Sequence, residues 1–205
     1  VPFVSFEGVD GSGKGTQVCR LATWLKNRGV SVVTTKEPDG GRIGLRVREI
    51  LTAAQLAGKL SRVEELLLIS AARYDHVRSI IQPALGRGDW VVCDRFYDST
   101  FALQMFGSDI PEKLFSAVTE VVVGELRPDL TIILDIPVEL ALARRRARSE
   151  LGSHDPAEDF RDFGRIREGF LRAAALDPDR CKVLDASNTA DEVELQIRRL
   201  AEEWI

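Results

Sequence analysis

Three glycines and a lysine stand at the spacing Gly8-x4-Gly13-Lys14, with a third glycine at Gly11 between them. These residue types at this spacing suit one chemistry, the holding of a polyphosphate. Gly8, Gly11 and Gly13 admit backbone conformations closed to other residues, so successive N–H groups can converge on phosphate oxygens. Lys14 opens a helix whose free amides and positive dipole end face the same anion. Ser12, Gly15 and Thr16 complete the loop. The hydroxyl residue that ordinarily follows the lysine and reaches magnesium is absent at Gly15 and reappears one place later as Thr16. A nucleoside triphosphate with Mg2+ is the expected ligand.

A second constellation is Trp90-Val-Val-Cys-Asp94-Arg95, an apolar run that delivers a carboxylate and a guanidinium to its carboxyl end. Asp94 is a candidate for Mg2+, directly or through water. Arg95 offers a planar fork of donors suited to a second phosphate. The third is Leu142-Ala-Arg-Arg-Arg-Ala-Arg148, followed by Arg161, Arg165 and Arg167. At helical spacing Arg144 and Arg148 share a face, as do Arg161 and Arg165, so a flap over 144–161 would bring positive charge over the phosphates. Phosphoryl transfer rewards such charge, because it stabilises the negative charge spread over the transferred group. No general base is needed where the acceptor is itself a phosphate oxyanion, and His76 and His154 read accordingly as a packed and a solvated residue.

These groups need a frame that brings them together. Apolar runs rich in Val, Ile or Phe recur at Phe3 to Glu7, Ser31 to Lys36, Trp90 to Asp94, Leu130 to Asp135 and Lys182 to Asp185, and read as five buried strands. Helical patterns alternate with them: Lys14 to Arg28, Leu45 to Ala57, a long stretch after Ser61, Pro111 to Leu126, and Val138 onward. The expected fold is α/β, a doubly wound five-stranded parallel sheet flanked by helices, with its ligand at the carboxyl ends of the strands. Ser61 with Glu64, and Thr189 with Glu192, match capping boxes. Val63 to Ala72 is apolar around much of its circumference, which predicts burial on two sides, against the sheet and against a ligand or another subunit. The decapeptide Glu150 to Asp159 is polar and turn-rich and reads as a mobile surface loop.

At 205 residues the chain suits one domain, 1–205, with the 144–161 flap inside it. A net charge of −4 argues against nucleic acid as the main partner. Cys19, Cys93 and Cys181 are odd in number and scattered through apolar contexts, so they read as buried reduced thiols of a reducing compartment. No apolar run reaches membrane length and the first residues lack the basic start of a secretion signal. A cytoplasmic protein that does not bind membranes is expected. Trp24, Trp90 and Trp204 read as packing residues.

Taken in order, Phe6-Glu-Gly-Val-Asp-Gly-Ser-Gly-Lys14, Lys36-Glu-Pro-Asp-Gly-Gly-Arg-Ile-Gly44, Ala71-Ala-Arg-Tyr-Asp-His76, Asp94-Arg-Phe-Tyr-Asp-Ser99 and Arg127-Pro-Asp-Leu-Thr-Ile-Ile-Leu-Asp135 resemble the thymidylate kinases over nearly the whole chain. The resemblance implies transfer of the terminal phosphoryl group of ATP to the deoxynucleoside monophosphate dTMP, with Mg2+, in a homodimer. It implies that Asp10 lies near the acceptor sugar and phosphate and that Arg95 grips that phosphate. It directs Arg73 at the thymine edge, with Ser99 and Gln104 lining the same pocket, and gives Glu37 a partly architectural role. Some members carry an arginine where this chain has Gly11; the chain is similar to those whose catalytic arginine comes from the flap, for which Arg148 is the candidate here, with Arg144 beside ATP. Ala186-Ser-Asn188 resembles the segment beside adenine. Three positions depart from the pattern. Ile69 stands where a phenylalanine commonly stacks on the base, Leu103 where many members have a tyrosine near the sugar, and Asp39, Gly41 and Arg42 alter the Glu-Pro-Gly-Gly turn. These departures leave open a kinase for another nucleoside monophosphate; a nucleotide switch is disfavoured because it needs no second phosphate site.

Overall fold

The computed structural model describes residues 1–150 and 161–205. Five strands, β1 (Phe3–Glu7), β2 (Val32–Lys36), β3 (Trp90–Asp94), β4 (Leu130–Asp135) and β5 (Cys181–Asp185), form one parallel sheet in the order β2-β3-β1-β4-β5. Parallel neighbours need crossovers, and the intervening helices supply them: α1 (Lys14–Lys26), α2 (Gly44–Leu56), α3 (Arg62–His76), α4 (Gln82–Gly86), α5 (Tyr97–Thr100), α6 (Glu112–Val123), α7 (Val138–Glu150), α8 (Phe163–Leu176) and α9 (Ala190–Glu202). The register sets Phe6 and Lys36 both beside Asp94, and Asp135 beside Asp185. The carboxyl ends of all five strands therefore share one rim, the edge where open α/β sheets bind ligands.

The three central strands are buried on both faces. Val4 and Phe6 pack with Val18, Leu21 and Leu25 of α1 and Ile197 of α9, while Phe3, Val91 and Cys93 pack with Val77, Ile81 and Val123 on the other side. The expectation of five buried strands needs correction for β2 and β5, which are half-exposed along their length. They are the two edges of the sheet, and an edge strand has a neighbour on one side only.

Local chemistry sets the helix ends. Both capping boxes form: Ser61 Oγ accepts from Glu64 N–H at 3.2 Å and Thr189 Oγ1 from Glu192 N–H at 3.3 Å, each glutamate accepting in return from the cap's own N–H. Each cap contributes about 1 kcal/mol. The helix expected over Pro111 to Leu126 stops at Val123, where Gly124 takes a φ of 59°. Two π-helical turns, Val77–Ile81 and Phe101–Met105, widen the helices that begin at Arg62 and Tyr97. Cys93 and Cys181 are buried free thiols, but Cys19 lies on the exposed side of α1. Trp24 and Trp90 are packed as expected, whereas Trp204 near the chain end is 46% exposed.

Candidate active site

The loop after β1 owes its path to its glycines. Gly8 and Gly11 have φ of 134° and 89°, and a Cβ on them would meet the backbone oxygens of Leu134 and Ala141 at 2.6 and 2.4 Å. Gly13, with φ of 96°, caps α1. Lys14 is 5% exposed and its ammonium donates to the carbonyls of Gly8 and Val9 at 2.9 and 3.0 Å, so the lysine is folded onto its own loop. Burial first, then Arg95, push its amine down to about 8, against the pull of Asp94, Asp10 and Glu7. Asp10 stands over the loop, ion-paired with Arg148 and 3.5 Å from Arg145 Nε. Burial alone would raise its carboxyl; Lys14, Arg148, Arg95 and Arg145 together hold it below its ordinary value.

Asp94 ends β3 directly across from this loop. Its Oδ1 is buried without a hydrogen-bond partner, and a Cβ on Gly15 would lie 3.7 Å from its Oδ2. Such an oxygen fits a cation bound beside the phosphates. Among the described residues no cluster of three or more His, Cys, Asp or Glu is poised for a metal. Among the residues that line the cavity at this rim, Asp94 and Thr16 offer oxygens that would suit Mg2+.

From the same rim a cavity of about 730 Å3 runs from the glycine loop to α2 and α3. Asp10, Gly11, Gly13, Lys14, Gly15, Thr16, Asp94 and Arg148 line it together with Glu37, Ile69, Arg73, Arg95, Ser99 and Gln104. Arg95 has the positive φ of 74°, unique among the described non-glycine residues, and its guanidinium donates to Gly8 O at 3.2 Å and Ser99 Oγ at 3.1 Å. Arg73, 4% exposed, is held by Glu37 Oε2 at 2.7 Å and by Phe96 O at 3.1 Å. The other Glu37 oxygen meets Nδ1 of fully buried His76 at 3.1 Å, whose Nε2 reaches Thr35 Oγ1 at 2.7 Å. A carboxylate only accepts, so Nδ1 carries a proton. Both Glu37 oxygens are occupied by protein, which makes this side chain a brace for Arg73.

Gly8 and Ser12 lie behind the loop surface, and Arg144 stands apart from the cavity, donating to Ala186 O at 2.9 Å. Of the other arginines expected over the phosphates, Arg161 lines the cavity and pairs with Glu65 at 2.6 Å, Arg165 covers Gly107, and Arg167 is forked onto Asp135 at 2.6 and 2.8 Å. The decapeptide from residue 151 on, with His154 and most of the 144–161 flap, lies outside the described residues.

Sequence reasoning missed Arg48 and Thr100. Arg48 lines the cavity from α2 and pairs with Asp39; it follows the buried Val47 in an amphipathic pattern and reads as surface. Thr100 lines it too, 1% exposed, with Oγ1 lacking a partner. Its place four residues before Gln104, on the same side of a helix, was the available signal.

Residues 6–197 match the family model described as thymidylate kinase. Curated thymidylate kinases are similar over nearly the full length: that of Bradyrhizobium sp. (strain ORS 278) is 44% identical across 93% of this chain and 85% of the relative, and that of Symbiobacterium thermophilum 41% identical across 98% and 92%. The crystal structure of thymidylate kinase from Ehrlichia chaffeensis superposes with a TM-score of 0.78 at 33% identity, covering 97% of both chains.

Proposed function

The chain belongs to the thymidylate kinase family, and from that premise we propose how its cavity carries the terminal phosphoryl group of ATP to dTMP, giving ADP and dTDP. One observation carries the reading. The glycine loop with Lys14 and the pair Arg73 and Arg95 line a single cavity, with Lys14 and Arg95 meeting at Gly8 O, so two anionic nucleotides can meet end to end at one rim of a single-domain kinase.

The loop amides and Lys14 hold the β- and γ-phosphates of ATP, with Arg144 and Ala186 toward the adenine. Asp94 and Thr16 would hold Mg2+, which would supply charge neutralisation for the phosphates. Arg95 grips the acceptor phosphate and aims its oxyanion at the γ-phosphorus, which needs no base. Arg73, fixed by Glu37, directs donors at the base edge; Gln104 and the partnerless Thr100 hydroxyl offer further polar contacts, and Ile69 the apolar one. Arg148, beside Asp10 over the loop, is placed to stabilise charge on the transferred group, a contribution that in other phosphoryl transferases reaches about three to five orders of magnitude in rate. Asp10 keeps that arginine oriented.

Among the described residues no helix is long and apolar enough to cross a membrane, and two buried free thiols suit the reducing cytoplasm in which we place the enzyme. We infer a homodimer from the apolar face of α2, α3 and α6. Ile69 and Leu103 both line the acceptor end and favour, as a second reading, a broader choice of pyrimidine acceptor. A panel of dTMP, dUMP, CMP, AMP and GMP compared by kcat/KM tests both. dTMP leading by at least tenfold is expected; another acceptor leading overturns the assignment.

A further inference from the structure

Behind the phosphate loop sits a carboxyl group that no ligand contact above employs. Glu7 ends β1, is fully buried, and does not line the cavity. Its Oε1 accepts from the N–H of Phe96 at 2.6 Å and its Oε2 from the hydroxyl of Ser99 at 2.5 Å. Ser99 Oγ in turn accepts from Arg95 NH1 at 3.1 Å. Phe96 and Ser99, which follow Arg95 in the chain, are thus both tied to one side chain of the neighbouring strand. The turn needs the ties, because Arg95 is held at a φ of 74° that is unfavourable for a non-glycine residue, and such a conformation persists only where the surroundings over-determine it. Without the carboxyl, the N–H of fully buried Phe96 would lose its partner and the Ser99 hydroxyl would keep only its contact with Arg95.

We propose that Glu7 is a positioning residue for phosphoryl transfer: from behind the loop it fixes the Arg95–Ser99 turn, and through Phe96 and Ser99 it aims the Arg95 guanidinium at the acceptor phosphate. This rests on the reading of Arg95 as the group that grips that phosphate. The charge state supports the role. Burial first, then the Asp98 carboxylate, push Glu7 up to about 8, while Ser99, Arg95 and Phe96 pull it down. Asp98 is itself forked onto Arg180 at 2.7 and 3.0 Å, and Lys14 faces the same carboxyl from α1. At neutral pH a protonated Glu7 keeps both contacts, Oε1 accepting from Phe96 N–H and the Oε2 hydroxyl now donating to Ser99 Oγ, yet does not compete with the acceptor phosphate as a counter-ion for Arg95.

The test compares wild type with Arg95→Ala, Glu7→Ala and Glu7→Gln, recording kcat, KM for dTMP and KM for ATP. Glu7→Ala is expected to lower kcat/KM for dTMP by roughly a hundredfold, the cost of misaiming a reactant by about 1 Å, with KM for ATP unchanged. Glu7→Gln, isosteric and neutral, is expected to recover to within about threefold. Between pH 7 and 9 KM for dTMP should rise in wild type and stay level in Glu7→Gln, a difference that cancels the titration of Lys14 common to both. If Arg95→Ala retains full efficiency with dTMP, the reading of Arg95 fails. If Arg95→Ala is impaired while Glu7→Ala is not, or Glu7→Ala loses ATP equally, the positioning role fails alone. Should Glu7→Ala not fold, the pH comparison decides by itself: parallel profiles for wild type and Glu7→Gln overturn the proposal.

Discussion

Lys14 is the residue whose state must change most when a nucleotide arrives. Buried beneath its own loop and crowded by Arg95, its amine is pushed down to about 8 in the free enzyme. A polyphosphate beside it favours the ammonium and restores its pKa toward the ordinary lysine value. The sign follows from linkage: below pH 8 the free lysine is already charged and binding takes up no proton, whereas above pH 8 binding draws one from solution, so ATP affinity falls as pH rises. The fall approaches tenfold per pH unit, about 1.4 kcal/mol, until the pKa in the complex is passed. Calorimetric titration of ATP at pH 8.5 in buffers of different ionisation heat should show an uptake of about three-quarters of a proton, and the Lys14→Met variant none. An uptake that is absent in wild type, or unchanged in the variant, removes Lys14 as its source.

At the scale of elements, the acceptor end depends on how closely α8 approaches the π-helical turn Phe101–Met105, which carries Leu103 and Gln104 into the cavity. Gly169 permits that approach: a Cβ there would lie 2.9 Å from Ala102 Cα and 3.2 Å from its carbonyl oxygen. Gly169→Ala must move one element, and overpacking of this kind costs about 1–3 kcal/mol. The expected result is a lowered Tm with KM for dTMP raised several-fold and ATP binding intact; a lowered Tm with KM for dTMP unmoved would show that α8 yields instead of the turn. This dependence also shows where sequence reading stops. The glycine loop, the β3 end at Asp94 and Arg95, and both capping boxes were legible because each is written within a few consecutive residues. That Ser31 to Lys36 and Lys182 to Asp185 are edges was not, since Val and Thr content is alike for edge and central strands and only the order β2-β3-β1-β4-β5 separates them. Thr100 and Arg48 escaped for a related reason: their exposure is decided by elements distant in sequence, and their side chains lie at positions that a helical pattern assigns to ordinary surface or core.

For the molecule as a whole, one apolar face is left open among the described residues. The Val63 to Ala72 run was expected to be buried on two sides, against the sheet and against a ligand or another subunit; within the chain α3 buries Leu66, Ala72 and Arg73 and leaves Val63 41%, Leu67 50% and Tyr74 41% exposed. α2 and α6 both pack against α3 and add Leu45, Ile50 and Val121, exposed by 63%, 52% and 73%. An apolar face spread over three adjacent helices is more than scattered surface residues, and a second copy meeting it about a two-fold axis covers both faces at once. Symmetry doubles the effect of any change there. Leu67→Glu would remove a leucine worth about 1.5–3 kcal/mol of burial from each protomer and set two carboxylates in an apolar interface. Light scattering at micromolar concentration should then give twice the chain mass for wild type and the chain mass for Leu67→Glu. Because α3 also carries Ile69 and Arg73, the monomer should lose efficiency with dTMP while its glycine loop still binds ATP. A monomeric wild type, or a variant that stays paired, would place the subunit contact elsewhere or nowhere.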